Sequence, residues 1–64
     1  MNEQKITDAL EKINAQFGHG SKISEIDFLN QTVTRSFNMF SPIVKSFTVE
    51  KNTITFLNQT KRIV

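Results

Sequence analysis

The only two glycines in the chain stand almost together, at Gly18 and Gly20, and they divide it into two segments of different character. Before them the apolar residues keep a helical period. Ile6, Leu10, Ile13 and Phe17 are spaced by four, three and four residues, with Ala9 beside them, which is one face of a 3.6-residue repeat. Asn2 is placed to cap this segment, and Glu3 falls at the positive end of the helix dipole. Asp8 and Lys12 stand four apart in the favourable order for a side-chain pair. Either glycine can take the left-handed backbone that ends a helix. The segment predicts a helix over about 3–17.

After Ser21 the pattern becomes extended. Ile26, Phe28, Val33 and the threonines Thr32 and Thr34 favour strand, within about 22–37. Ile26 and Phe28 share one parity while Leu29, Val33 and Phe37 share the other, so a bulge or a sharp turn at Asn30-Gln31 is expected. Residues 37–42 read as a loop, with Pro42 barred from a central ladder position. Strands are expected again within about 43–50 and 53–63. Phe47 to Phe56 reads as a hairpin with Lys51-Asn52 at its tip and Asn52 suited to the left-handed backbone there. That register sets Val49 opposite Ile54 and Phe47 opposite Phe56, four apolar side chains on one face. Ile26-Asp27-Phe28-Leu29-Asn30-Gln31-Thr32 recurs almost unchanged as Ile54-Thr55-Phe56-Leu57-Asn58-Gln59-Thr60, which could mark two equivalent strand ends. The expected fold is α+β: one N-terminal helix packed on a three- or four-stranded antiparallel sheet, in the order α-β-β-β, as one domain over 1–64.

At 64 residues without cysteine, this domain has neither disulfides nor a thiol nucleophile. A core this small supplies no more than roughly 3–5 kcal/mol, so a protein partner or a homodimer is expected. No apolar run is long enough to span a bilayer and no signal-peptide pattern opens the chain, so the expected setting is cytoplasmic, away from membranes. Catalytic and metal-binding residues are not found. His19, the single histidine, has no spacing to a Ser or carboxylate and reads as an exposed turn residue; no cofactor is implied. The Gly18-His19-Gly20-Ser21 stretch follows a helix instead of opening one, which is the wrong place for a phosphate loop. Glu25 and Asp27 alternate on a strand and read as a wet face or a guard against edge pairing.

The net charge of +2 is unevenly spread. Residues 1–27 hold five acids and three lysines, whereas residues 28–64 hold Glu50 alone against Arg35, Lys45, Lys51, Lys61 and Arg62. Those five cations, interleaved with phenylalanines, make a single-stranded nucleic-acid surface one reading, since rings on a basic sheet can stack bases. The competing reading is that the phenylalanines build the core. Phe37 and Phe40, beside Met39 in the loop, are the phenylalanines best placed to be exposed, and such a patch suits a protein partner.

Residues 9–21, Ala9-Leu10-Glu11-Lys12-Ile13-Asn14-Ala15-Gln16-Phe17-Gly18-His19-Gly20-Ser21, resemble the N-terminal segment of bacterial RecA-type recombinases. In that family the segment is a helix and strand that dock on the neighbouring protomer. Ala9, Leu10, Ile13, Gln16, Phe17, Gly18, Gly20 and Ser21 agree with the family pattern, while His19 replaces a lysine. The recombinase's ATP-binding loop, metal-binding strand and DNA-binding loops have no counterpart here. The resemblance implies a small phage or mobile-element inhibitor or accessory factor that engages a recombinase filament through Leu10, Ile13 and Phe17; the alternative is that these residues pack on the protein's own sheet. The sequence thus points to a non-enzymatic interaction module, with nucleic-acid binding as the second reading.

Overall fold

A computed structural model describes residues 2–17 and 20–63; the expectations for Gly18 and His19 lie outside the described residues. The helix α1 spans Glu3–Phe17 and is followed by five strands: β1 Lys22–Asp27, β2 Thr32–Ser36, β3 Ile43–Glu50, β4 Thr53–Phe56 and β5 Gln59–Arg62. Every strand pairs antiparallel with its sequence neighbour, so the sheet order is that of the chain. The α+β architecture is as expected, with five strands in place of three or four.

The helix starts where its cap is. Asn2 Oδ1 accepts the backbone N–H groups of Gln4 and Lys5 at 3.0 and 3.3 Å, which satisfies two of the amides a helix start leaves without partners. Asp8 accepts from Gln4 Nε2 at 3.0 Å, one turn back, in place of the expected pairing with Lys12. Ile6, Ala9, Leu10 and Ile13 are buried against Val33, Phe47, Ile54 and Phe56 of the sheet, and Phe17 packs half-buried beside them.

The extra strands come from tight turns made without glycine. Residues 22–37 are two strands because Phe28–Gln31 turns the chain, with Gln31 at a φ of 54°. Asp27 fixes this turn. Its carboxylate accepts the Asn30 backbone N–H at 3.1 Å and the Asn30 side-chain amide at 2.9 Å. These bonds, the backbone one foremost, hold the Asp27 carboxyl below its ordinary 3.8. A bulge at Ser24 lets Ile23 and Ile26, of opposite parity, both face the core. Residues 53–63 likewise contain two strands, since Leu57 and Asn58 both take positive φ, 52° and 61°, in a two-residue turn. The near-repeat thus encodes two hairpins of different loop length. Asp27 binds within its turn, whereas Thr55, its counterpart, faces Thr60 across the ladder with their hydroxyls 3.2 Å apart.

The Phe47–Phe56 register is the expected one, with Phe47 opposite Phe56 and Val49 opposite Ile54. At its tip, however, the left-handed residue is Lys51, with a φ of 54°, and not Asn52. The Asn52 carbonyl instead accepts the Ile63 N–H at 2.6 Å, which ties the chain end to this tip.

Candidate interaction surface

β3 is shared between two ladders without overlap. Its residues Ile43–Ser46 pair with β2, and Phe47–Glu50 pair with β4. Phe47 donates its N–H to the Gln31 carbonyl at 2.9 Å, so odd-numbered backbone groups of β3 point toward β2. Those of Val44 and Ser46 therefore point the other way. β4 ends at Phe56, opposite Phe47, so among the described residues no strand pairs with Val44 or Ser46 on that side. The other two edges are blunted: β1 by its bulge at Ser24 and β5 by Lys61 and Arg62.

Apolar side chains surround this open half-edge. The helix lies against β1, β4 and β5, and does not cover the first half of β3. Ile43 and Lys45 are consequently exposed, although their cross-strand partners Arg35 and Val33 are buried on the same inner face. Val44 is 60% exposed and, among the described residues, is the only apolar strand residue on an outer face otherwise made of Thr, Ser and charged residues. In the loop, Met39 and Phe40 are 87% and 75% exposed. Phe37, Met39, Phe40 and Ile43 line an open cleft of about 510 Å³ in which Asn38 is the single polar side chain. Leu29, at the β1–β2 turn, is the other strongly exposed apolar residue.

A buried polar cluster holds this loop's root in place. Arg35 Nε donates to Asn14 Oδ1 at 2.7 Å, and Arg35 Nη2 donates to Ser21 Oγ at 3.2 Å. Asn14 Nδ2 in turn donates to the Ser21 carbonyl at 3.2 Å. The guanidinium lies 5.2 Å from the centroid of the Phe37 ring, a cation–π contact that keeps Phe37 half-buried. Arg35 is a planar fork and can serve two oxygens and a ring at once, which a lysine could not.

The residues singled out from the sequence separate accordingly. Phe37, Met39 and Phe40 gather at one surface. Leu10 and Ile13 are buried in the protein's own core, with Phe17 packed against it, so these proposed docking anchors are consumed internally. Arg35 is buried and engaged with Asn14, which corrects its reading as a surface cation. Lys45 is exposed near the apolar patch, whereas Lys51, Lys61 and Arg62 lie at the other flank of the helix, where they meet Lys5 and Lys12 from the acidic half of the sequence. Val44 and the unpaired half-edge were missed, because nothing in the sequence says that β4 stops opposite Phe47. Among the described residues no group of three His, Cys, Asp or Glu could hold a metal, and no helix is long and apolar enough to cross a membrane. Compared with protein-family models, curated proteins and solved structures, the chain matches none.

Proposed function

We propose that this chain is a non-enzymatic protein-interaction module that receives an extended segment of a partner along the open half of β3. One observation carries the reading: the outward backbone groups of Val44 and Ser46 lie beside the exposed side chains of Val44, Phe40 and Met39. Strand addition uses such a pairing. Main-chain hydrogen bonds to the edge supply affinity, and pockets for alternate side chains supply specificity. The cleft lined by Phe37, Met39, Phe40 and Ile43 offers contact area to a partner's apolar residue, and its side chains offer no acid or base. The reading moves the contact surface away from the helix face suggested by Leu10, Ile13 and Phe17.

The test uses the wild-type chain and a Phe40→Ser/Val44→Lys variant as paired baits, with sedimentation equilibrium of each alone. A partner, or a second copy of the chain, that binds the wild type and is lost from a folded variant supports the reading, provided that binding slows hydrogen exchange at the Val44 and Ser46 amides. Equal retention by both baits, or binding that leaves those two amides unchanged, overturns it.

A further inference from the structure

We infer that the cleft between α1 and β5 binds the phosphate backbone of a nucleic acid without reading its sequence. Lys5, Asp8 and Lys12 form one stripe of the helix, and Lys61 faces them from β5 around a recess of about 120 Å³, with Arg62 at its rim and on the outer face opposite Thr53. Three cations therefore meet one carboxylate. That carboxylate, Asp8, already accepts a hydrogen bond from Gln4, and among the described residues no ion pair neutralises any of the three. Lys5 also lines the adjoining recess with Lys51 of the β3–β4 turn, so the positive surface continues around the helix start. Glu11 lies on the opposite flank, where it faces β1 with Asn14 and Ala15. The helix thus sets its lysines apart from Glu11.

The shape of the ligand follows from spacing. From Lys5 to Lys12 the helix rises about 10 Å, at about 1.5 Å per residue. One phosphate cannot reach both ends, but three successive steps of a duplex strand, at about 3.4 Å each along the axis, match that length. Ala9 and Ile63 complete the lining, so no aromatic ring is present to stack a base. The phenylalanines that suggested base stacking are in the core or at the β2–β3 loop, apart from these cations. Contact is therefore with phosphates, by lysine point charges.

The experiment is fluorescence anisotropy of an end-labelled 20-base-pair duplex and of its single strand, with phosphatidylserine vesicles as a separate arm. Three proteins are compared: wild type, Lys5→Glu/Lys61→Glu, and Lys22→Glu/Lys45→Glu, which makes the same change in net charge away from the cleft. The expected result is at least a tenfold loss of affinity for the cleft pair and less than threefold for the control pair. For about three neutralised phosphates, log affinity against log salt should fall with a slope of about −3. Circular dichroism checks folding, and Lys5→Glu/Lys12→Glu replaces the cleft pair if that variant unfolds. Equal losses in both pairs, no oligonucleotide binding by the wild type at low salt, or binding to vesicles alone overturns the inference.

Discussion

Arg35 on β2 donates its Nε hydrogen to Asn14 Oδ1 on the helix at 2.7 Å, and both residues are buried. The bond joins positions 21 residues apart and pins the last turns of α1 over the β1–β2 end of the sheet. Among the described residues no carboxylate joins this arrangement; the buried charge is met by neutral oxygens and by the Phe37 ring. Removing either partner takes a charge-assisted bond from the interior and leaves the other with Ser21 alone as its polar partner among these three. Asn14→Ala should cost about 1.5–3 kcal/mol, the range for hydrogen bonds to charged groups. The double variant Asn14→Leu/Arg35→Met, with both polar groups gone, should recover part of that loss. Urea midpoints of the two variants and the wild type decide the point; a double variant less stable than Asn14→Ala would show that the polar pair adds net stability.

Exposure separates Phe56 from Phe40. Phe56 is fully buried, so Phe56→Ala should cost about 3–5 kcal/mol. That is comparable with the whole stability expected of a domain this small, and the variant should be largely unfolded by circular dichroism at 25 °C. Phe40→Ser should change stability by no more than about 0.5 kcal/mol, as for exposed sites generally. Large destabilisation by Phe40→Ser would mean that the β2–β3 loop is core after all.

Lys51 holds a left-handed backbone at the β3–β4 tip, a conformation in which a Cβ is crowded. Lys51→Gly removes that crowding at the cost of a floppier unfolded chain. A net gain of up to about 1 kcal/mol is expected, which in a domain of this size raises Tm by about 4–8 °C. A lowered Tm in calorimetry would indicate that the lysine side chain makes a contact worth more than the strain.

The Asp27 carboxyl titrates below 3.8 because its ionised form accepts both amides of Asn30. A depressed carboxyl contributes stability that is fully present above the unfolded-state value and is lost as pH falls through the lower folded value. The β1–β2 turn should therefore be unaffected down to about pH 4 and loosen only below it. Chemical shifts of the Asn30 amide followed from pH 6 to pH 2 should move with the Asp27 side chain. Movement centred above pH 4 would exclude this coupling.

How much of this was legible depended on whether the signal was local. The helix was readable because its period, cap and core face lie within fifteen residues, and Asn2, Ile6 and Ile13 do what their spacing implies. The Phe47–Phe56 register was readable because apolar alternation on both sides of a two-residue tip admits one pairing. The divisions at Phe28–Gln31 and Leu57-Asn58 were harder, since Gln31, Leu57 and Asn58 carry the positive φ that glycine usually announces. The site was legible only in part. Met39 and Phe40 stand out in a loop next to proline, but the burial of Arg35 depends on Asn14, and the basic cleft depends on helix and β5 meeting in space. Both are facts of tertiary packing.

The division of β3 between two ladders makes the sheet two leaves that meet at the Ser46–Phe47 peptide and at the bond from the Phe47 N–H to the Gln31 carbonyl. β1, β2 and the first half of β3 form one leaf; the second half of β3, β4 and β5 form the other. The helix spans them, resting on β1 of one leaf and on β4 and β5 of the other. It acts as a strut, and the burial of Ile6, Leu10 and Ile13 fastens the two leaves to each other away from the strand they share.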